Sequence, residues 1–163
     1  LQCKMCRSVI GSGDLCARCA DKFIYDSRIS GYRLNKHQLI HTNVRESRLR
    51  KILNKMYGVQ NIIEEASFDW CKSPKTSALL RFDFAILQND SFFLIEFNGE
   101  QHYKKIKFFH KTKEQYNDQR IRDKEKVTAC KQNKILLISI PFHVALNDGD
   151  VKLYIERHSK ESK

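Results

Sequence analysis

The sequence predicts an α/β domain preceded by a small cysteine-rich module, and three observations lead there. Residues 3–19 hold two Cys-x-x-Cys pairs. Residues 81–97 read as two strands of a hairpin, alternating first and then running apolar. The segments around 44–57 and 112–133 read as helices, and an apolar strand at 134–140 follows the second. Helix, paired strands, helix and strand, in that order, define the class.

Cys3-Lys4-Met5-Cys6 and Cys16-Ala17-Arg18-Cys19 form two knuckles separated by nine residues, with Gly11, Ser12 and Gly13 available for the turn between them. Four thiolates in this spacing suit tetrahedral, structural Zn²⁺, which closes its coordination with protein ligands. A pair of disulfides is the alternative, disfavoured if the thiols stay reduced inside a cell. So short a segment has too little apolar content to fold without its metal. The expected organisation is a zinc-binding module over 1–26, a connector over 27–42 and the main domain over 43–163. Cys71 and Cys130 lack such spacing and read as buried thiols.

The first helix is expected from about Val44 to Tyr57. Leu49, Ile52, Leu53 and Met56 form its apolar stripe, Asn43 its N-cap and Gly58 its stop. Glu46 is either a capping-box residue or an acid facing the active site. Phe68–Lys72 reads as a short strand or turn, with Trp70 in the core.

The hairpin Arg81–Tyr103, RFDFAILQNDSFFLIEFNGEQHY, organises the rest. If Leu87 and Phe92 pair across Gln88-Asn89-Asp90-Ser91, counting outward sets Phe84 opposite Ile95 and Asp83 opposite Glu96. Directly opposed side chains share a face, their Cβ atoms roughly 5 Å apart, and two carboxylates so placed repel. A divalent cation between them is the economical answer, because Mg²⁺ takes one or two carboxylates plus waters and phosphates. A solvated face is the alternative, as is a one-residue slip that would send the two acids to opposite faces. The face they share with Ala85, Leu87, Phe92 and Leu94 reads as buried, which favours the cation.

Gly99 allows a sharp turn after the strand. His102 then follows as a general base, a phosphate ligand or a hydrogen-bonded structural histidine. A long helix is expected over Thr112–Asn133, with Tyr116, Asp123, Val127 and Cys130 on one face and Lys126 one turn from Asp123 and Cys130. Asp123 on an inward stripe needs a partner: Arg120 or Lys126 in an ion pair, or an active-site contact. Lys134–Ile140, KILLISI, reads as a buried strand stopped by Pro141, and Val151–Ile155 as part of a last helix.

The chain carries a formal charge of +11, with a pI near 9.5, and points to a polyanionic partner. Between Lys104 and Lys134 eleven Lys and Arg face four Asp and Glu, a surplus of seven immediately after the carboxylate hairpin. A solvated basic helix is the plain reading; beside a metal site, a phosphate-tracking surface is the better one. At 41% apolar with ten Phe, the chain can bury a core. No apolar run reaches the ~20 residues of a membrane span, and no signal peptide is visible. The start at Leu1 rather than Met suggests a trimmed or processed piece.

The ordered pieces — a helix with Glu46, RFDF at Asp83, IEFNGEQHY, a basic helix with RDKEK and a closing strand — resemble the PD-(D/E)XK nuclease superfamily. The likeness covers roughly Asn43 to Pro141 and is greatest to phage-type, zinc-ribbon-bearing members and to homing endonucleases related to very short patch repair nucleases. It implies a restriction-endonuclease-like mixed central β-sheet flanked by helices, with the four-cysteine segment as a zinc ribbon. It also implies Mg²⁺-dependent hydrolysis of DNA phosphodiesters. Asp83 matches the family aspartate and Glu96 the acid of the second half-motif. The usual Lys is replaced by Asn98, so Gln101 or His102 is expected to take its role. Glu46 and His102 suit the helix Glu and the His of the repair-nuclease relatives, with Asn98 and Asp123 as supporting residues.

On this reading Lys104, Lys105 and Lys107, with Arg120 and Lys126, contact double-stranded DNA. The setting is the cytoplasm or nucleoid of a bacterial or phage-infected cell, no membrane is involved, and a homodimer is left open. The rivals are a zinc-containing DNA-binding module that has lost the chemistry, and a structure-specific nuclease acting as an RNase or junction resolvase.

Overall fold

The computed structural model describes residues 44–88, 91–99 and 112–160. The cysteine module, the connector, Asn43, Gln101, His102, Lys104, Lys105 and Lys107 lie outside the described residues. The elements in order are α1 (Val44–Tyr57), β1 (Ile62–Lys72), β2 (Leu79–Gln88), β3 (Ser91–Asn98), α2 (Lys113–Gln132), β4 (Leu137–Pro141) and α3 (Asp148–Lys160). The strands form a mixed sheet in the order β1-β2-β3-β4: antiparallel between β1 and β2 and between β2 and β3, parallel between β3 and β4. This is the α/β class expected, with helices on both faces.

The hairpin register follows the count from the turn. Leu87 pairs with Phe92 and Phe84 with Ile95, and the ladder runs one pair further toward the turn, Gln88 with Ser91. The apolar run Phe92–Phe97 is buried throughout because β3 lies inside the sheet, flanked by β2 and β4. On one face α1 (Leu49, Ile52, Leu53) and α3 (Val151, Ile155) cover Phe84, Ile86, Phe93, Ile95, Phe97, Ile138 and Ile140. On the other, Ala129 and Cys130 of α2 cover Phe82, Ala85, Phe92 and Leu94, with Phe68 of β1 and Ile135.

Local chemistry sets the helix ends. Gly58 stops α1 at φ +83, where an added Cβ would lie 2.7 Å from the Gln60 side chain. Thr112 and Gln115 form a reciprocal capping box at the start of α2. At its far end Lys134 takes the left-handed place at φ 53, and the Ile135 N–H donates to Cys130 O at 2.9 Å, closing a Schellman turn. That turn corrects the expected strand: it begins at Leu137, not Lys134. Asn147 Oδ1 accepts the Asp150 N–H and caps α3, and Lys55 of α1 bonds Asp148 at that helix's first turn.

Two further expectations are corrected. Phe68–Lys72 is the end of an eleven-residue strand, and Val127 is 44% exposed. The inward row of α2 runs instead through the half-buried Asp123 and Lys126 to buried Ala129 and Cys130. Cys71 and Cys130 are buried free thiols, and burial raises them to about 11 and about 12.

Candidate active site

The site forms where the β2–β3 ladder opens. Ile86 and Phe84 pack on the α1/α3 face and Ala85 on the α2 face, the alternation a strand requires. Phe82 should then return to the α1/α3 face, but it packs on the α2 side, as does its β1 partner Ala66. Both strands change phase at one level, between Glu64↔Phe84 and Ala66↔Phe82. Glu65 in β1 absorbs the change with φ 48, a left-handed conformation unusual for a residue with a Cβ. Asp83 lies at the same level in β2.

Beyond Phe84↔Ile95 the regular pairing of β2 with β3 stops. The Asp83 carboxylate enters the opening, and the Phe97 N–H donates to its Oδ2 at 2.7 Å. Glu96, next to Phe97, is buried and turned toward α2, where Lys126 Nζ donates to Glu96 Oε1 at 2.8 Å. The two acids counted as opposed are thus joined through the main chain of β3.

Glu96 is pushed up to about 7, first by burial and then by neighbouring Asp83, with Lys126 opposing and Asp123 adding to the rise. Glu46 is likewise raised, first by burial and then by Asp83, with Arg50 opposing. Glu64 is pushed up to about 7 by burial, against the pull of Arg50 and with Glu46 adding to it. Six carboxylates from five elements (Glu46, Glu64, Glu65, Asp83, Glu96, Asp123) are therefore electrically coupled, against Arg50 and Lys126 and, on Glu65, Arg81. In a strongly basic chain this is a formal local excess of three acidic over basic side chains.

Of the residues singled out from sequence, Glu46, Asp83, Glu96, Asp123 and Lys126 meet here. Asn98 ends β3 opposite Pro141 of β4. Arg120 is exposed on α2, its guanidinium 6.0 Å from the Tyr116 ring centre. The geometry adds two participants that the sequence reading did not single out, Glu64 and Arg50, whose Nε lies 2.7 Å from Glu64 Oε1. Glu64 carried no signal because β1 itself was not recognised there. Arg50, next to Leu49, looks like an ordinary polar helix residue.

Among the described residues no group of three or more His, Cys, Asp or Glu is arranged as a ready metal cage. Mg²⁺ does not need one: it binds through one or two carboxylates and completes its shell with water and phosphate oxygens. Asp83 and Glu96 fit that donor set, and the unfavourable ionisation of Glu96 is what a cation would relieve. No helix among the described residues is long and apolar enough to cross a membrane.

Comparison with known proteins gives two viral relatives. The chain is 46% identical over 50 residues to uncharacterized protein 307L of Invertebrate iridescent virus 6, covering 31% of this chain and 25% of that protein. It is 40% identical over 60 residues to uncharacterized protein 033L of Invertebrate iridescent virus 3, covering 37% and 31%. The chain thus spans between a quarter and a third of the curated relatives it matches. No family model matches it, and no solved structure does.

Proposed function

We propose that this chain is a metal-dependent DNA endonuclease of the PD-(D/E)XK kind. The observation that carries the reading is the excess of coupled carboxylates at the opening of the β2–β3 ladder, immediately before the most basic stretch of the sequence. Such an excess is unfavourable unless a cation completes it, and basic flanks would bring a phosphate polyanion to the same place. The order α1, β2, β3, α2 and β4 supports the reading, since it is the order of the pieces that carry the resemblance.

In this reading Asp83 and Glu96 hold Mg²⁺, which when bound supplies Lewis-acid activation of water and neutralises charge on the phosphate. Asp83 is fixed by the Phe97 N–H and Glu96 by Lys126, so both carboxylates are oriented before substrate arrives. His102 or Gln101 orients the attacking water or takes its proton. The water oxygen bonds to phosphorus, one P–O ester bond breaks, and the leaving oxygen is protonated. Lys104, Lys105, Lys107 and Arg120 hold the DNA backbone, and the Cys3/Cys6/Cys16/Cys19 zinc ribbon contacts flanking duplex. Two viral relatives support a setting inside an infected cell, and a homing-type role remains part of the proposal.

The test is incubation with supercoiled and linear DNA in Mg²⁺, Mn²⁺ or EDTA. Metal-dependent nicking is expected, and its absence under every metal would overturn the reading. Asn98 in place of the motif Lys favours one rival, a DNA-binding module on the same fold. That module would bind DNA with steep salt dependence and cut nothing. Substituting structured RNA or junctions in the same assay tests the other rival.

A further inference from the structure

Among the described residues β3 itself supplies no ammonium to this site: Glu96 is followed by Phe97, packed on the opposite face, and by Asn98. The cation that meets Glu96 comes from thirty residues later, on another element. Lys126 Nζ lies 2.8 Å from Glu96 Oε1. Its ammonium also lies over the Phe82 ring, with Nζ 5.3 Å from the ring centre. Phe82 is the residue displaced onto this face by the phase change at Asp83, so the feature that brings Asp83 into the opening also builds the seat of Lys126. An ammonium carries three donors, and Glu96 takes one. The Lys126 side chain is 15% exposed against 8% for Glu96, so the pair opens to solvent on the side of the cation.

We infer that Lys126, delivered by α2, is the catalytic ammonium of the proposed nuclease. It fixes Glu96 with one N–H and offers another to the attacking water or a non-bridging phosphate oxygen. The inference rests on the nuclease reading and assigns to a helix residue the role that the strand position, Asn98, cannot fill. A Lys126 that merely neutralised Glu96 would affect stability and leave the turnover of folded protein alone.

The test uses the full chain, supercoiled DNA and Mg²⁺, with K126M, K126R and D83N beside wild type, and melting measured for each. K126M is expected to lower kcat for nicking by about a hundredfold, the scale of losing one donor to a developing oxyanion, with KM for DNA unchanged. K126R should fold as wild type does and recover part of kcat, because the charge is retained while the compact ammonium geometry is not. Wild-type kcat in folded K126M, with D83N inactive, would overturn this inference and leave the nuclease reading standing. If K126M does not fold, K126R decides: reduced kcat at unchanged KM supports the assignment, and full kcat reduces Lys126 to charge compensation and overturns it. No cleavage by wild type under any metal would overturn both.

Discussion

Two buried acid–base pairs lie on opposite faces of one sheet, and they are not equivalent. Arg50–Glu64 joins α1 to the edge strand β1, with side chains 6% and 11% exposed; Lys126–Glu96 joins α2 to β3, with side chains 15% and 8% exposed. In the first pair the cation is the more deeply buried member. Arg50 Nε lies 2.7 Å from Glu64 Oε1, and Nη1 has no hydrogen-bond partner among the described residues. In the second the hydrogen bond is short and the cation is the more open member. Both glutamates are pushed up to about 7 chiefly by burial. Similar electrostatics therefore sit in different settings: the first pair is closed on the side of its cation, and the second is open there.

The sharpest way to break that contrast is to neutralise the open site. Asp83→Asn or Glu96→Gln should reduce metal-dependent nicking to background, a loss of at least about a hundredfold. DNA binding in Ca²⁺ should persist or tighten, since each change removes a charge that repels phosphate. In EDTA Glu96→Gln should melt no lower than wild type, because the raised pKa of Glu96 means the fold disfavours its ionised form. Clear destabilisation with retained nicking would remove Glu96 from the site.

The closed pair should respond in the opposite way. Arg50→Met strands Glu64 and should cost about 3 kcal/mol in urea unfolding, while Arg50→Met/Glu64→Gln recovers much of it. An equal or larger loss in Lys126→Met than in Arg50→Met would erase the distinction between closed and open pairs.

Both pairs predict the same pH trend without metal. Below an ordinary pKa of 4.5 the two glutamates are neutral in folded and unfolded chains alike. As pH rises toward 7 the unfolded chain ionises first, so the native state holds more protons and loses stability across that window, on the order of 3 kcal/mol for each glutamate. Above about 7 the loss levels off. Mg²⁺ at mildly alkaline pH should then raise the melting temperature, an effect removed by Glu96→Gln and spared by Glu64→Gln. The reverse result would move the metal to the closed pair.

The smallest expected effect is a control outside both pairs. Lys134→Gly should stabilise by about 1 kcal/mol, because glycine occupies the left-handed place of the α2 Schellman turn without a Cβ penalty. It should leave nicking unchanged.

What the sequence revealed divides along similar lines. The β2–β3 register, the bounds of α1 and the span of α2 were legible, since turn chemistry, caps and periodicity are local signals. Most of β1 was not. It is an edge strand that carries Glu64 and Glu65 where a strand would show alternation, and the left-handed Glu65 shifts its phase. The Asp83–Glu96 proximity could be counted from the turn, but the change of face that seats Phe82 against Lys126 could not. Helical spacing set Asp123, Lys126 and Cys130 on neighbouring turns without saying which inward neighbour would claim the ammonium. That choice depends on an acid thirty residues away.

The Phe97 N–H bond to Asp83 makes the aspartate a ruler. One carboxylate of the site is tied to the backbone amide beside the other, so the gap between them depends on side-chain length at position 83. A glutamate there keeps the charge but adds a methylene between two strands whose separation the shorter side chain sets. It must then either release the amide or push β3 away from β2. Asp83→Glu, conservative by charge, is therefore a change of aperture, and a narrow cation should feel it more than a wide one.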